Sequence, residues 1–497
     1  MGKLKTLAGQ TAIYGLSTIL GRLLNYLLVS IHTRVFLPEQ FGVITTMYAY
    51  ATFIMILLTY GMETGFFRFS ESEKDKGRVY STSLISLFFS SLVFIVLIFL
   101  FSESIAGWLK YPDHEEYIIW FGIIMAADAF ISIPFARLRQ QNRPFKFAMF
   151  KLVGIIIFIL LNLFFLLLCP WIIKGDSLSW LTNIYHPEKG VAYVFIANLI
   201  SSLFVLILFI PEFVKIKYVF DKTLWKKMMM YSLPLLVAGL AGMINETLDR
   251  ILLIHYLPVN SNIMEQVGIY GANYKLAILM TLFIQMFRYA AEPFFFSHQK
   301  DADAKKMYAD IMKYFVIFCL LIFLGVMLYI DIFKYFIGIN FHTGLSIVPI
   351  VLLANLFLGI IVNLSIWYKL GNLTKYGAML AIFGAIITIV LNVILIPLNN
   401  PMFGGIMGAA WATFFCYLAM MIVSYFWGRR FYKINYDVKV ILLYIVVAVL
   451  FYFLADYLRT SNFWLNIGFG TMLLLIFILF VVWKENLIVY LVRGKGK

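Results

Sequence analysis

The chain has 497 residues, 63% of them hydrophobic and only 13% charged. A soluble fold of that size would carry a surface largely of Phe, Leu and Ile, so the composition excludes a soluble protein and places the chain in a membrane. The net charge of +15 does not point to nucleic acid. The Lys and Arg residues concentrate in alternate loops between apolar blocks, which is the pattern of the positive-inside rule.

Fourteen apolar blocks long enough to cross a bilayer follow one another: Ala8–Ile31, Phe41–Tyr60, Val79–Ser102, Tyr117–Phe135, Leu152–Ile172, Gly190–Ile210, Met229–Leu253, Gly268–Phe294, Tyr314–Ile330, Leu345–Trp367, Gly377–Ile396, Phe403–Phe426, Val440–Ala455 and Phe463–Trp483. Val79–Ser102 runs 24 residues without a charge and Phe463–Trp483 runs 21. A hydrocarbon core of about 30 Å takes about 20 residues of helix. Without water in that core each segment must satisfy its own backbone, so continuous apolar runs predict helices, whereas a barrel would show short alternating segments. The fold class is therefore all-α and polytopic.

Three basic loops are expected on the cytoplasmic side. They hold Arg137, Arg139, Arg143 and Lys146; Lys215, Lys217, Lys222, Lys226 and Lys227; and Arg429, Arg430, Lys433 and Lys439. Asp113, Glu115 and Glu116 mark an outer loop, and both termini are expected in the cytoplasm. The stretch MGKLKTLAGQ leads straight into the first block, with no pattern of a cleavable signal peptide. Its Met-Gly start with Thr6 fits a myristoylation pattern, which adds little to a chain with fourteen spans. Cys169, Cys319 and Cys416 lie in apolar blocks without metal-ligand spacing, and no P-loop is present. Neither a metal nor a cofactor is expected.

An internal repeat runs through the chain. Ala148-Met149, Gly154 and Asn162 recur as Ala378-Met379, Gly384 and Asn392, always 230 positions on. Tyr14, Arg34 and Leu37-Pro38 have counterparts in Tyr231, Arg250 and Leu257-Pro258, and Phe41-Gly42-Val43 is echoed by Val267-Gly268-Ile269. The unit is six spans, so both halves keep one orientation in the membrane, as in parallel-repeat transporters. The expected organisation is a six-helix lobe at 1–212, a second at 213–428, and two additional spans with a cytoplasmic tail at 429–497. Paired lobes of this kind imply alternating access; duplication could also have built a scaffold only.

Intramembrane polar groups fall into stripes at helical spacing. Thr11, Tyr14, Thr18, Arg22, Asn25 and His32 occupy an arc of about 80° on the first span. Tyr270, Tyr274, Thr281, Gln285, Arg288 and Glu292 occupy about 60° on the eighth. Thr45, Tyr48, Thr52, Thr59 and Glu63 align on the second. Polar stripes suit helices that line a water-filled cavity, here expected between the first, second, seventh and eighth spans. Arg22 sits too deep to snorkel, and a charge at helix centre costs about 2.5–3.5 kcal/mol on insertion scales. It reads as an anion ligand or as half of a buried ion pair. On the seventh span Asn245, Glu246, Asp249 and Arg250 gather, with Glu246 and Arg250 spaced to neutralise each other. Arg288 and Glu292 share that spacing. Asp128 stands mid-span with no charged neighbour on its own helix and is either paired elsewhere, protonated, or a coupling site.

No enzyme constellation emerges: the first outer loop lacks a carboxylate cluster, and the longest outer loop, Lys174–Lys189, is short for a polysaccharide polymerase. The stretches TAIYGLSTILGRLLNYLLVSIHTRVFLPEQFGV, YGMETGFFRFS, FRYAAEPFFFSH and NPMFGGIMGAAWAT resemble polysaccharide-biosynthesis flippases of the multidrug/oligosaccharidyl-lipid/polysaccharide exporter superfamily. That resemblance implies two lobes alternating between inward-open and outward-open forms in a bacterial inner membrane. It implies a polyprenyl-pyrophosphate-linked oligosaccharide as substrate, with membrane lipid, a polysaccharide polymerase and glycosyltransferases as partners. A cationic cavity in such relatives fits Arg22. The expected substrate-binding set is Arg22, Asn25, Arg250, Tyr270, Tyr274, Gln285 and Arg288, because Arg offers bidentate donors to phosphate while Tyr and Asn suit sugar hydroxyls. The ion-coupling candidates are Asp128, Glu63, Glu246 and Glu292. Open alternatives are a cation-coupled drug antiporter, a flippase for the peptidoglycan lipid precursor, and a membrane enzyme acting on lipid-linked glycans.

Overall fold

The computed structural model describes residues 2–109, 111–174, 185–258 and 261–486; the side chains of 2–14, 16–18 and 174 lie outside that description. Among the described residues there are twenty α-helices and no strand. Twelve helical segments are long and apolar enough to cross a membrane, and a thirteenth is a pair bent by 50°. The expected number was fourteen. The first expected span lies in α1 (Gly2–Val35), many of whose side chains are outside the description.

The chain divides into two compact units, Met1–Gly268 and Ile269–Lys497. The first holds α1, α2 (Pro38–Thr59), α3 (Met62–Ser72), α4 (Lys76–Trp108), α5 (Glu115–Gln140), α6 (Pro144–Leu163), α7 (Cys169–Lys174), α8 (Gly190–Leu208), α9 (Ile210–Val214) and α10 (Lys222–Tyr256). Helix α5 is its core. Gly122 lets Ile98 of α4 approach within 2.7 Å of where a side chain would start, and Phe121 meets Phe195 of α8 edge-on at 4.9 Å. Such small-residue contacts allow close helix packing where burial against lipid supplies no hydrophobic drive. Asp75 and Asp221 cap α4 and α10 by accepting from the amides of Arg78 and Leu224, each satisfying a donor orphaned at a helix start. The Leu224 and Thr223 amides, with Arg78, stabilise the charged Asp221 carboxylate and hold it below the usual range. Between α2 and α3 the chain turns at Tyr60 and Gly61, both at positive φ. The expected second span, Phe41–Tyr60, thus corresponds to α2, and α3 continues the chain beyond the turn.

The second unit holds α12 (Ile278–Ser297), α13 (Ala304–Leu328), α14 (Ile330–Phe333), α15 (Val348–Leu364), α16 (Ile366–Leu370), α17 (Thr374–Leu395), α18 (Gly405–Phe431), α19 (Val438–Tyr457) and α20 (Phe463–Lys484), with α11 (Ile263–Leu276) beginning just before its boundary. Helix α15 is buried along most of its length, and Gly359 admits the Phe315 ring of α13. The last two helices are fastened to α13 and its continuation at both ends. At one, the Glu485 carboxylate accepts from Tyr444 at 2.6 Å and pairs with Lys313 at 2.6 Å. At the other, Tyr329 bonds Thr471 at 2.9 Å and Asn466 donates to Asp331 at 3.2 Å.

The repeat extends to hydrogen bonds. Asn162 donates to the Phe158 carbonyl and Asn392 to the Thr388 carbonyl, each four residues back. The Gly154 carbonyl accepts from Ser201 of α8, and the Gly384 carbonyl from Cys416 of α18. Arg34 and Arg250 each donate Nη1 to the carbonyl four residues back at 3.0 Å. Leu37 (φ −67, ψ 157) and Leu257 (φ −64, ψ 143) take the same extended conformation, which the following proline imposes.

Candidate functional site

Arg22 lies well inside α1. Gly21 beside it faces Ile155 of α6, so the next side chain turns away from that packing surface. Arg22 and Asn25, one turn on, are both exposed, and among the described residues Arg22 has no hydrogen bond or ion pair. Thr11, Tyr14 and Thr18 of the same expected stripe lie outside the described side chains. His32 is buried and hydrogen-bonded to Asn162 of α6 at 2.9 Å, a packing role.

Asp128 does find company. Ser202 of α8 and Lys151 of α6 are the polar and cationic groups that act on its charge, though no ion pair joins it among the described residues. Lys151 also stands over the Phe135 ring at 4.4 Å. One turn along α8, Asn198 donates to the Tyr48 hydroxyl of α2 at 2.9 Å. These residues form a polar line between α2, α5, α6 and α8. Glu63 pairs with Arg139 of α5, whose guanidinium covers the Phe67 ring at 4.9 Å. On α10, Arg250 pairs with Asp249 at 3.2 Å and donates to the Glu246 carbonyl. Its carboxylate partner is therefore Asp249, not the Glu246 side chain, which is exposed. Asp249 and Asn245 are buried.

The eighth expected span is not one straight helix. It breaks between Leu276 and Ile278 into α11 and α12, bent by 50°. The bend separates Tyr270 and Tyr274 from Gln285, Arg288 and Glu292, so they do not form a single straight stripe. Tyr270 is fully buried, its ring 5.8 Å from that of Tyr274, and Gln285 is half-buried. Glu292 accepts from Arg288 at 2.9 Å and from Lys369 of α16 at 2.6 Å, so this carboxylate carries two cations. Lys369, Arg139, Lys151 and Ser202 are partners that the stripes did not reveal. Each lies on another helix, and only same-helix spacing is visible in a sequence. Of the eleven expected site residues, six fall in the first unit and five in the second.

One further pair stands out in α2 and α11. A side chain at Gly42 would strike the Met264 carbonyl, and one at Gly268 would strike the Pro38 carbonyl. The repeat-related glycines thus sit at a backbone-to-backbone helix crossing.

A family model described as "Polysaccharide biosynthesis protein" matches residues 7–299. No curated protein sequence matches the chain. Among solved structures, "Lipid II flippase MurJ, inward closed conformation" aligns with a TM-score of 0.73 at 16% identity, covering 95% of this chain and 99% of that one. An inward-facing multidrug resistance MATE family transporter of the MOP superfamily gives a TM-score of 0.60 at 16% identity, covering 82% and 94%. A MOP superfamily transporter from Pyrococcus furiosus gives 0.51 at 14% identity, covering 85% and 95%. At these identities the structures share the fold of the chain. With the family model spanning more than half of its residues, this multi-pass membrane chain belongs to the polysaccharide biosynthesis protein family.

Proposed function

We propose that the chain is a flippase that moves a polyprenyl-pyrophosphate-linked oligosaccharide across the cytoplasmic membrane of a bacterium by alternating access, with both termini in the cytoplasm. The observation that carries this reading is Arg22, an exposed arginine far along a membrane-length helix with no protein partner among the described residues. An isolated guanidinium at that depth is costly unless water or an anion meets it, and pyrophosphate matches its donor geometry. Asn25, one turn away, suits a sugar hydroxyl. Arg250 and Arg288 already hold carboxylates and act as secondary ligands. Asp128, in its polar line with Ser202 and Lys151, serves as the coupling carboxylate. A peptidoglycan lipid precursor carries the same pyrophosphate, and the MurJ likeness favours it as the second reading.

Binding tests the anion site. Purified protein should prefer undecaprenyl pyrophosphate to undecaprenol, and Arg22→Ala should weaken the pyrophosphate lipid about tenfold, the value of one charge-assisted hydrogen-bonded contact. Equal binding of the two lipids by wild type, or unchanged binding by the folded mutant, removes Arg22 from the site.

A further inference from the structure

The ends of three membrane spans meet at the α19–α20 turn: α13 stops at Leu328, α19 at Tyr457, and α20 starts at Phe463. Between them lies a cavity of about 230 Å³ lined by Leu328, Ala455, Leu465 and Phe469 on its apolar side and by Arg459, Thr460 and Asn466 on its polar side. Its place at three span ends puts it at the depth of lipid headgroups. It opens among exposed apolar side chains, including Leu458, Trp464 and Leu465, so it is reached from the bilayer.

The polar side is built and not accidental. Asn466 accepts from the Thr460 amide at 2.9 Å and from its hydroxyl at 3.2 Å, and donates to the Thr460 carbonyl at 2.9 Å. This closed ring of bonds fixes the turn that carries Arg459. Nearby, Asp331 is already taken by Lys334 at 2.7 Å and Asn466 at 3.2 Å. Arg459 reaches it only at 3.8 Å, and the guanidinium makes no hydrogen bond among the described residues. Asp456, one turn earlier, is exposed and makes no ion pair with it there. The guanidinium thus stands at the polar rim of an apolar cavity with its Nε at ion-pair distance from Asp331 and its four Nη–H donors without a hydrogen bond among the described residues.

We propose that this cavity is a binding site for an anionic glycerophospholipid, with Arg459 on the phosphate and the start of an acyl chain against Leu328, Leu465 and Phe469. Buried apolar contact holds the chain, and the cation selects the headgroup. The site is separate from the proposed transport ligands and does not depend on what the chain transports.

The test is native mass spectrometry of the delipidated full-length protein, titrated in parallel with dioleoyl phosphatidylglycerol and dioleoyl phosphatidylcholine. Wild type should take up one phosphatidylglycerol in preference to phosphatidylcholine. Arg459→Ala should bind that lipid about tenfold more weakly, while Arg459→Lys keeps part of the preference and Arg430→Ala, at another loop, changes nothing. Ala455→Trp fills the cavity without touching the Asp331 network and should remove the first adduct of both lipids, which keeps the test decisive if Arg459→Ala fails to fold. Equal uptake of the two lipids by wild type, or wild-type uptake by both Arg459→Ala and Ala455→Trp, overturns the proposal.

Discussion

Arg22 stands on α1 with its side chain exposed and no partner among the described residues, the state that membrane insertion penalises most. No hydrogen bond or ion pair among the described residues is lost when it is removed, so Arg22→Ala should leave the thermal unfolding midpoint unchanged, within about 1 kcal/mol, while abolishing transport. Gly42 and Gly268 are the opposite case. Each faces a main-chain carbonyl at the distance of a hard contact, and a backbone cannot swing aside as a side chain can. Gly42→Ala or Gly268→Ala should cost about 2 kcal/mol by overpacking, read as a lowered unfolding midpoint of the purified protein. Gly107→Ala, with open space around it, should be neutral or slightly stabilising. Asp128 presents a third situation, a mid-span carboxylate whose charge is influenced by Ser202 and Lys151 on neighbouring helices. If it couples transport to protons, Asp128→Asn makes the transport rate independent of pH; a mutant rate that still follows pH as wild type does would remove that role.

Helices α19 and α20 show how an element outside the repeat is held. Glu485 is nearly buried between Lys313 and Tyr444, and breaking such a pair strands a charge. Glu485→Ala should destabilise the protein by about 3 kcal/mol, visible as a lower unfolding midpoint, with Glu485→Gln intermediate. At the other end, burial would raise the Asp331 carboxyl, but the Lys334 hydrogen bond, the charges of Arg459 and Lys334, and Asn466 outweigh it and hold the group below the ordinary carboxylate range. Its contribution is complete above the unfolded value, near about pH 4, and is lost as pH falls through the lower folded value. Between about pH 4 and pH 2.5 wild type should therefore lose more thermal stability than Asp331→Asn; parallel pH profiles would contradict this. The existence of these helices was legible in the sequence because hydropathy is a local property that a run such as Val79–Ser102 displays by itself. The break after Leu276 was not, since neither proline nor glycine marks it. The second cation on Glu292 and the partner of Glu63 were not legible either, because Lys369 and Arg139 lie on helices far away in the chain.

At the scale of the whole molecule, the repeat is the feature that sequence and structure express in the same residues. Asn162 and Asn392 back-bond to the preceding turn, the Gly154 and Gly384 carbonyls receive a neighbouring helix, and Arg34 and Arg250 bond alike. Identity in such details means that the two halves solve the same packing problem. A parallel repeat, as the sequence leads one to expect here, is an architecture on which alternating access operates. What passes through is decided by chemistry at particular residues, and the fold is shared by proteins named for lipid II and for multidrug resistance. The proposal that a pyrophosphate-linked oligosaccharide is the cargo thus rests on Arg22 and on the family.

The most direct test is leaflet exchange in proteoliposomes containing a polyprenyl-pyrophosphate oligosaccharide, followed by the accessibility of its sugar to a membrane-impermeant lectin. The account predicts protein-dependent exchange by wild type and its loss in folded Arg22→Ala. Folded wild-type protein that leaves this lipid in its original leaflet while exporting an organic cation would contradict it.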